Sequence, residues 1–144
     1  MTNVTARKFG YPATLVAQGQ HWAVLTRPAQ PTLGALALVC LDEVFAFGDL
    51  SAVAHAELRT MTAGVERLLK DFIAYQKINY LMFMMVDPHV HFHVIPRYEG
   101  ERSFDDLTIA DAGWPGMPDL STHVAPDAET LARLTAELKS RWRA

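Results

Sequence analysis

A chain of 144 residues, half of them hydrophobic and a fifth charged, has the length and makeup of one globular domain. Its net charge of −3 excludes the strongly basic surface that draws a nucleic-acid backbone or an anionic membrane. One cysteine, Cys40, excludes an intrachain disulfide, and no apolar run approaches the roughly 20 residues of a membrane span.

The opening MTNVTARKFG has no apolar core of a signal peptide, so reducing cytoplasm is the expected compartment. Residues 13–18 and 21–27 read as two strands around a Gly19-Gln20 turn. RPAQPTLG (27–34) is a loop punctuated by two prolines and a glycine. ALALVC (35–40) is a short apolar run, read as a buried strand with Cys40 in the core rather than as a nucleophile. After Asp49 or Ser51, either able to cap a helix, Leu58, Met61, Val65, Leu68 and Phe72 recur at the three- and four-residue spacing of an amphipathic helix. Gly64 in its middle argues weakly against it.

KINYLMFMM (77–85) reads as a strand whose methionines belong to a core or a dimer interface. VDP turns the chain, and residues 89–95 form the next strand, which Pro96 stops or bulges. Residues 99–124 mix Gly, Pro, Asp and Ser with Phe104, Trp114, Met117 and Leu120, the anchors of an ordered meander rather than a disordered tail. Pro126 and Asp127 open a last helix over 126–143, with Leu131, Leu134, Leu138 and Trp142 along one side. A hairpin, a strand, one long helix and two consecutive strands is the order of an α+β fold. The expectation is a single domain over 1–144, with an antiparallel sheet of about five strands, a long central helix and a C-terminal helix.

Side chains alternate along a strand, so His89, His91 and His93 share one face while Val90, Phe92 and Val94 pack on the core. The expectation is an exposed face of three imidazoles, with three readings. The first is a chance surface cluster. The second is a metal site. The outer Cα atoms lie about 13 Å apart on a strand, and zinc needs each nitrogen at about 2 Å. Two of the three could converge on one ion, with a further ligand drawn from Asp87, His21, His55 or His123. The third is nucleophilic catalysis. A neutral imidazole is a good nucleophile near neutral pH, and close basic neighbours hold at least one ring of the row neutral. A protonated neighbour then stabilises a phosphate oxygen or protonates a leaving group. No Gly-rich phosphate loop is present.

HVHFHVIPRY resembles the signature of the histidine triad (HIT) family, His-φ-His-φ-His-φ-φ with φ apolar, and residues 89–95 satisfy every position. More loosely, the resemblance extends over residues 13–98. It implies a HIT-like fold, usually a homodimer, and hydrolysis or transfer of a nucleoside monophosphate from dinucleoside polyphosphates or phosphoramidates. It places the nucleophile on His91, which would carry the nucleotidyl group, with His89 and His93 orienting it and contacting phosphate. No metal or cofactor is required by that chemistry, although Mg²⁺ can arrive with the nucleotide. Arg97, Asn79 and Asp87 are the candidate substrate contacts, and Trp22 is a weaker candidate for a base pocket. A nucleotide-binding protein with little turnover and a zinc-binding protein are the alternatives. No nucleic-acid or membrane partner is expected.

Three departures from the family pattern stand out. Met85, Val86 and Asp87 occupy the stretch where many members carry a Gly- and Gln-rich loop, and Asp87 puts a negative charge near the phosphate. Leu33 and Gly34 stand where a fourth histidine is often found, and Leu25 or Thr26 where an acidic residue commonly grips the ribose.

Overall fold

Every residue of Trp22–Thr26 (β2) and Leu36–Cys40 (β3) is buried, which a strand achieves only when both faces of the sheet are covered. The computed structural model, which describes residues 3–143, shows how. These two strands lie at the centre of a five-stranded antiparallel sheet with Leu15–Gln18 (β1), Lys77–Leu81 (β4) and His91–Arg97 (β5), in the order β1-β2-β3-β5-β4. One face carries the larger side chains Trp22, Val24, Leu36 and Leu38 against the helices. The other carries Ala23, Leu25, Ala37 and Val39. Two alanines on that second face leave room for another segment to come close.

The helices on the first face follow from their caps and apolar stripes. Ser51 accepts from the Ala54 N–H and opens the 22-residue helix Ala52–Ile73 (α2), which buries Met61, Val65, Leu68 and Ile73. Gly64 within it is explained by packing. A Cβ there would fall 2.4 Å from the Trp142 ring, so glycine lets that indole lie on the helix. Asp127 caps the last helix, Ala128–Arg141 (α3), by accepting from the Thr130 N–H. The element is therefore shorter than 126–143, because the capping residue stands outside it and Trp142 turns back toward Gly64.

Four local expectations need correction. Val4–Lys8 forms a short helix (α1) where none was expected. The strand expected over 77–85 ends at Leu81, and Met84 takes a left-handed backbone (φ 53°), which breaks the pleat. The triad strand starts at His91, not His89, and runs through Pro96. The Arg97 carbonyl accepts from the Gln76 N–H, so Pro96 directs its backbone to the opposite side, where β3 has already ended at Leu36. Its missing N–H interrupts no ladder there. Finally, the 99–124 meander contains a hairpin, Glu101–Phe104 (β6) and Leu107–Ala110 (β7). Its end is tied back by paired backbone hydrogen bonds between Gln30 and Val124. Among the described residues no helix is long and apolar enough to cross a membrane.

Candidate active site

Alternation along β5 puts His91 and His93 on the sheet face away from α2 and α3, with His89 just before the strand on the same side. That face is not open. His91 is 2 % exposed, His89 3 % and His93 9 %. The cover is the N-terminal segment, whose Phe9 ring lies 5.9 Å from the His91 ring and 5.7 Å from that of His93. Asn3 fixes this segment by capping α1 through the Ala6 N–H and donating to the Cys40 carbonyl at 2.8 Å. Periodicity tells which residues share a face. It does not tell what a segment 80 residues away lays over it.

Hydrogen-bond partners fix the protons. The His91 Nδ1 lies 2.7 Å from the His89 carbonyl oxygen, which can only accept. The Nδ1 therefore carries the hydrogen, and the neutral ring keeps its lone pair on Nε2. His93 is wired the opposite way. The Arg27 guanidinium, which can only donate, gives its Nε–H to the His93 Nδ1 at 3.2 Å. The neutral ring's hydrogen is then on Nε2. Burial, then the charges of Arg27 and His91, push the His93 pKa down to about 4, with Asp87 opposing. Among the described residues the Thr32 hydroxyl is the one sealed side-chain polar atom with no partner. The Nε2 atoms of His91 and His93, which have no partner either, therefore reach open space.

That space is a pocket of about 270 Å³. Phe9, Phe83, Met85 and Val86 give it apolar lining, and Lys8, Arg27 and Asp87 give it charge. Asp87 pairs with Lys8 at 3.0 Å, so the negative charge noted in the sequence is met by a cation. Lys8 is half exposed, and such a pair contributes at most about 1 kcal/mol, which leaves the ammonium free to turn toward an anion.

His89 does not line this pocket. Its backbone N–H donates to the Thr5 hydroxyl, its Nδ1 faces the same oxygen at 3.1 Å, and its Nε2 faces the Glu43 carboxylate at 3.3 Å. Its part is to anchor α1 and to present the carbonyl that orients His91; the expected phosphate contact is not supported. Arg97 and Asn79 are also placed elsewhere. The Arg97 guanidinium, 4 % exposed, grips Asp111 with two donors at 2.6 and 3.1 Å. It also donates to the Asn79 amide oxygen and to the Gly116 carbonyl, both at 2.9 Å. With four of its five N–H donors so engaged it holds the chain after β7 on the sheet, and it does not line the histidine pocket. Trp22 is wholly buried on the helix face, donating to the Ala54 carbonyl, and is not part of a base pocket. Leu25 and Thr26 are buried, the latter accepting from the Thr135 hydroxyl.

Sequence reasoning missed Lys8, Phe9, Arg27 and Phe83. Arg27 carried one faint signal, a cation at the end of a strand just before Pro28. The arrangement offers an oriented neutral nucleophile, an adjacent hydrogen-bond donor and two cations, the parts a phosphoryl-type transfer needs. Among the described residues no three of His, Cys, Asp and Glu gather closely enough to hold a metal ion together.

No family model matches the chain, and no curated protein matches it in sequence. Solved structures do match in shape. A histidine triad protein of Sinorhizobium meliloti aligns with a TM-score of 0.71 at 19 % identity, over 98 % of this chain and 96 % of the other. The diadenosine triphosphate hydrolase of Plasmodium falciparum aligns at 0.67 and 11 %, over 90 % of this chain and 76 % of that one. A zinc-bound histidine triad family protein of Mycobacterium smegmatis aligns at 0.64 and 18 %, over 97 % and 95 %. At these identities the likeness is one of fold.

Proposed function

We propose that this chain, whose fold is that of the histidine triad proteins, belongs to that family and cleaves nucleoside 5′-phosphate conjugates through a covalent nucleotidyl group on His91. The reading rests on one observation above all: the His91 Nδ1 held at 2.7 Å by the His89 carbonyl, which turns a neutral Nε2 lone pair toward the pocket. The lone pair attacks the phosphorus, the P–N bond forms, and the bond to the leaving group breaks. The phosphorylated ring is cationic, and the same carbonyl stabilises its Nδ1–H. Water then attacks the phosphorus and gives its proton to solvent. The P–N bond breaks, and His91 leaves as the neutral ring it began as.

Arg27, Lys8 and the His93 Nε2–H supply positive charge and hydrogen bonds for the phosphate oxygens. The apolar lining, Phe9 and Phe83 foremost, suits a nucleobase or an uncharged leaving group. The shared fold with a diadenosine triphosphate hydrolase supports a dinucleoside polyphosphate as substrate; a nucleoside phosphoramidate is the other class that the resemblance of residues 89–95 implies. The protein's own chemistry calls for no cofactor, and a polyphosphate would bring Mg²⁺ with it.

A homodimer joined along β4 belongs to the same reading. Among the described residues that strand is an edge of the sheet, paired only with β5, and a second copy is the simplest cover for it. The buried free thiol of Cys40 fits a reducing compartment such as the cytoplasm.

The test is a rapid quench with adenosine substrates labelled at the α-phosphate. Acid-labile label on the chain, lost in His91→Ala, is the expected result. Tight nucleotide binding with neither label nor product would replace the enzyme with a binding protein. Activity lost to a chelator and restored by zinc would replace the mechanism.

A further inference from the structure

The two pocket histidines are wired in opposite senses, and the difference bears on which bond the site can break. A ring whose Nδ1 accepts from a guanidinium cannot take a second proton without setting N–H against N–H, and a guanidinium has no acceptor to offer instead. The Arg27 donor is fixed from behind, because its Nη1 donates to the Ala29 carbonyl at 3.0 Å. His93 thus remains a neutral ring that offers a hydrogen bond through Nε2 but has no proton to give away, since losing that hydrogen would leave an imidazolate. The other charged or titratable groups facing it are His91 on its own strand, Lys8 from the N-terminal segment and Asp87 from the connection before β5. Two of the three disfavour a proton on it, and the depressed pKa agrees.

We infer that Arg27 is a positioning residue that holds His93 in its neutral Nε2–H form, and that the site therefore selects acid-anhydride conjugates of the nucleotide over phosphoramidates. The inference rests on the nucleotidyl-transfer reading above and adds the leaving group to it. When the Nε2 of His91 bonds to phosphorus and a bridging P–O bond breaks, the electron pair departs with the oxygen as a phosphate or carboxylate anion. That anion needs no proton and is met by the Arg27 guanidinium and the His93 Nε2–H. When a P–N bond breaks instead, the amine must collect a proton as it leaves, and the ring beside the nucleophile cannot supply one. The expectation drawn from the sequence, a protonated neighbour that stabilises a phosphate oxygen or protonates a leaving group, narrows in this inference to a neutral N–H that does the former.

The test compares two probes with the same nucleoside, diadenosine triphosphate and adenosine 5′-N-butylphosphoramidate, by kcat/KM from pH 5 to 8. In the unmodified protein the anhydride is favoured by about 100-fold or more at pH 7.5, the scale of a missing general acid. Arg27→Met narrows that ratio by about tenfold and gives amide cleavage a new acid limb near the ordinary histidine pKa. Arg27→Lys, which keeps a charged donor, restores most of the preference. A second readout needs no variant: in ¹⁵N spectra the His93 Nδ1 stays unprotonated down to about pH 5. Equal cleavage of both probes, an unchanged ratio in Arg27→Met, or a His93 that titrates normally overturns the inference while label on His91 keeps the parent reading. If neither probe is cleaved and no label forms, the parent reading falls and takes the inference with it.

Discussion

The two ends of β5 place buried polar side chains on the same face of the sheet, and they end in opposite conditions. At one end, Arg97 engages four of its five N–H donors, on Asp111, Asn79 and Gly116. At the other, His91 and His93 each make one hydrogen bond through Nδ1 and leave Nε2 open to a pocket. Both ends belong to one motif, HVHFHVIPR, and both are buried. A buried polar group whose bonds are made to its own fold holds structure; one whose open atom faces a pocket is placed for chemistry.

Substitutions at the two ends should separate these roles. His91→Ala should lower kcat/KM by about 10⁴-fold or more, as loss of a nucleophile does, and keep a cooperative melt. Loss of folding in that variant would mean the ring is structural after all. Arg97→Ala should do the reverse. It strands the Asp111 carboxylate, so denaturant unfolding should show a loss of about 3–5 kcal/mol, with KM unchanged for the molecules that remain folded. A raised KM in a protein of unchanged stability would move Arg97 back to the substrate. Gly64→Ala tests packing far from both ends: the new methyl meets Trp142, and a loss of about 1–3 kcal/mol is expected with kinetics intact.

Acid should act on the histidine end. His93 has its pKa lowered from the ordinary 6.5 to about 4 by burial and by Arg27, so between those values the unfolded chain binds the extra proton. The stability it contributes is full above pH 6.5 and is lost as pH falls toward 4. His93→Gln should flatten that part of the stability profile, and an unaltered slope in urea titrations at pH 7 and 5 would contradict it. The smallest effect belongs to Lys8→Ala, a change in KM worth about 1 kcal/mol at most, since the lysine is exposed and paired with Asp87.

The sheet, its long helix and its last helix were legible because each depends on local pattern: the alternation at 89–95, the stripe from Leu58 to Phe72, the cap at Asp127. His91 and His93 were legible for the same reason. What stayed hidden depends on distance along the chain. Arg27 reaches His93 across 66 residues, and Thr5 reaches His89 across 84. Arg97 read as a phosphate contact because it follows the three histidines on the same strand, while its partner, Asp111, lies in a segment whose path no periodicity reveals. The small helix α1 was missed because five residues carry too little pattern, yet it sits over the face that matters most.

The most direct measurement is the site of nucleotidylation itself. A quenched turnover mixture, digested and mapped under alkaline conditions, with ³¹P and ¹⁵N spectra of the trapped protein, assigns the labelled nitrogen. The expected result is one adenylate on the Nε2 of His91, with Nδ1 still protonated against the His89 carbonyl. Label on His93 or His89, label on Nδ1, or steady turnover with no labelled histidine would contradict the account.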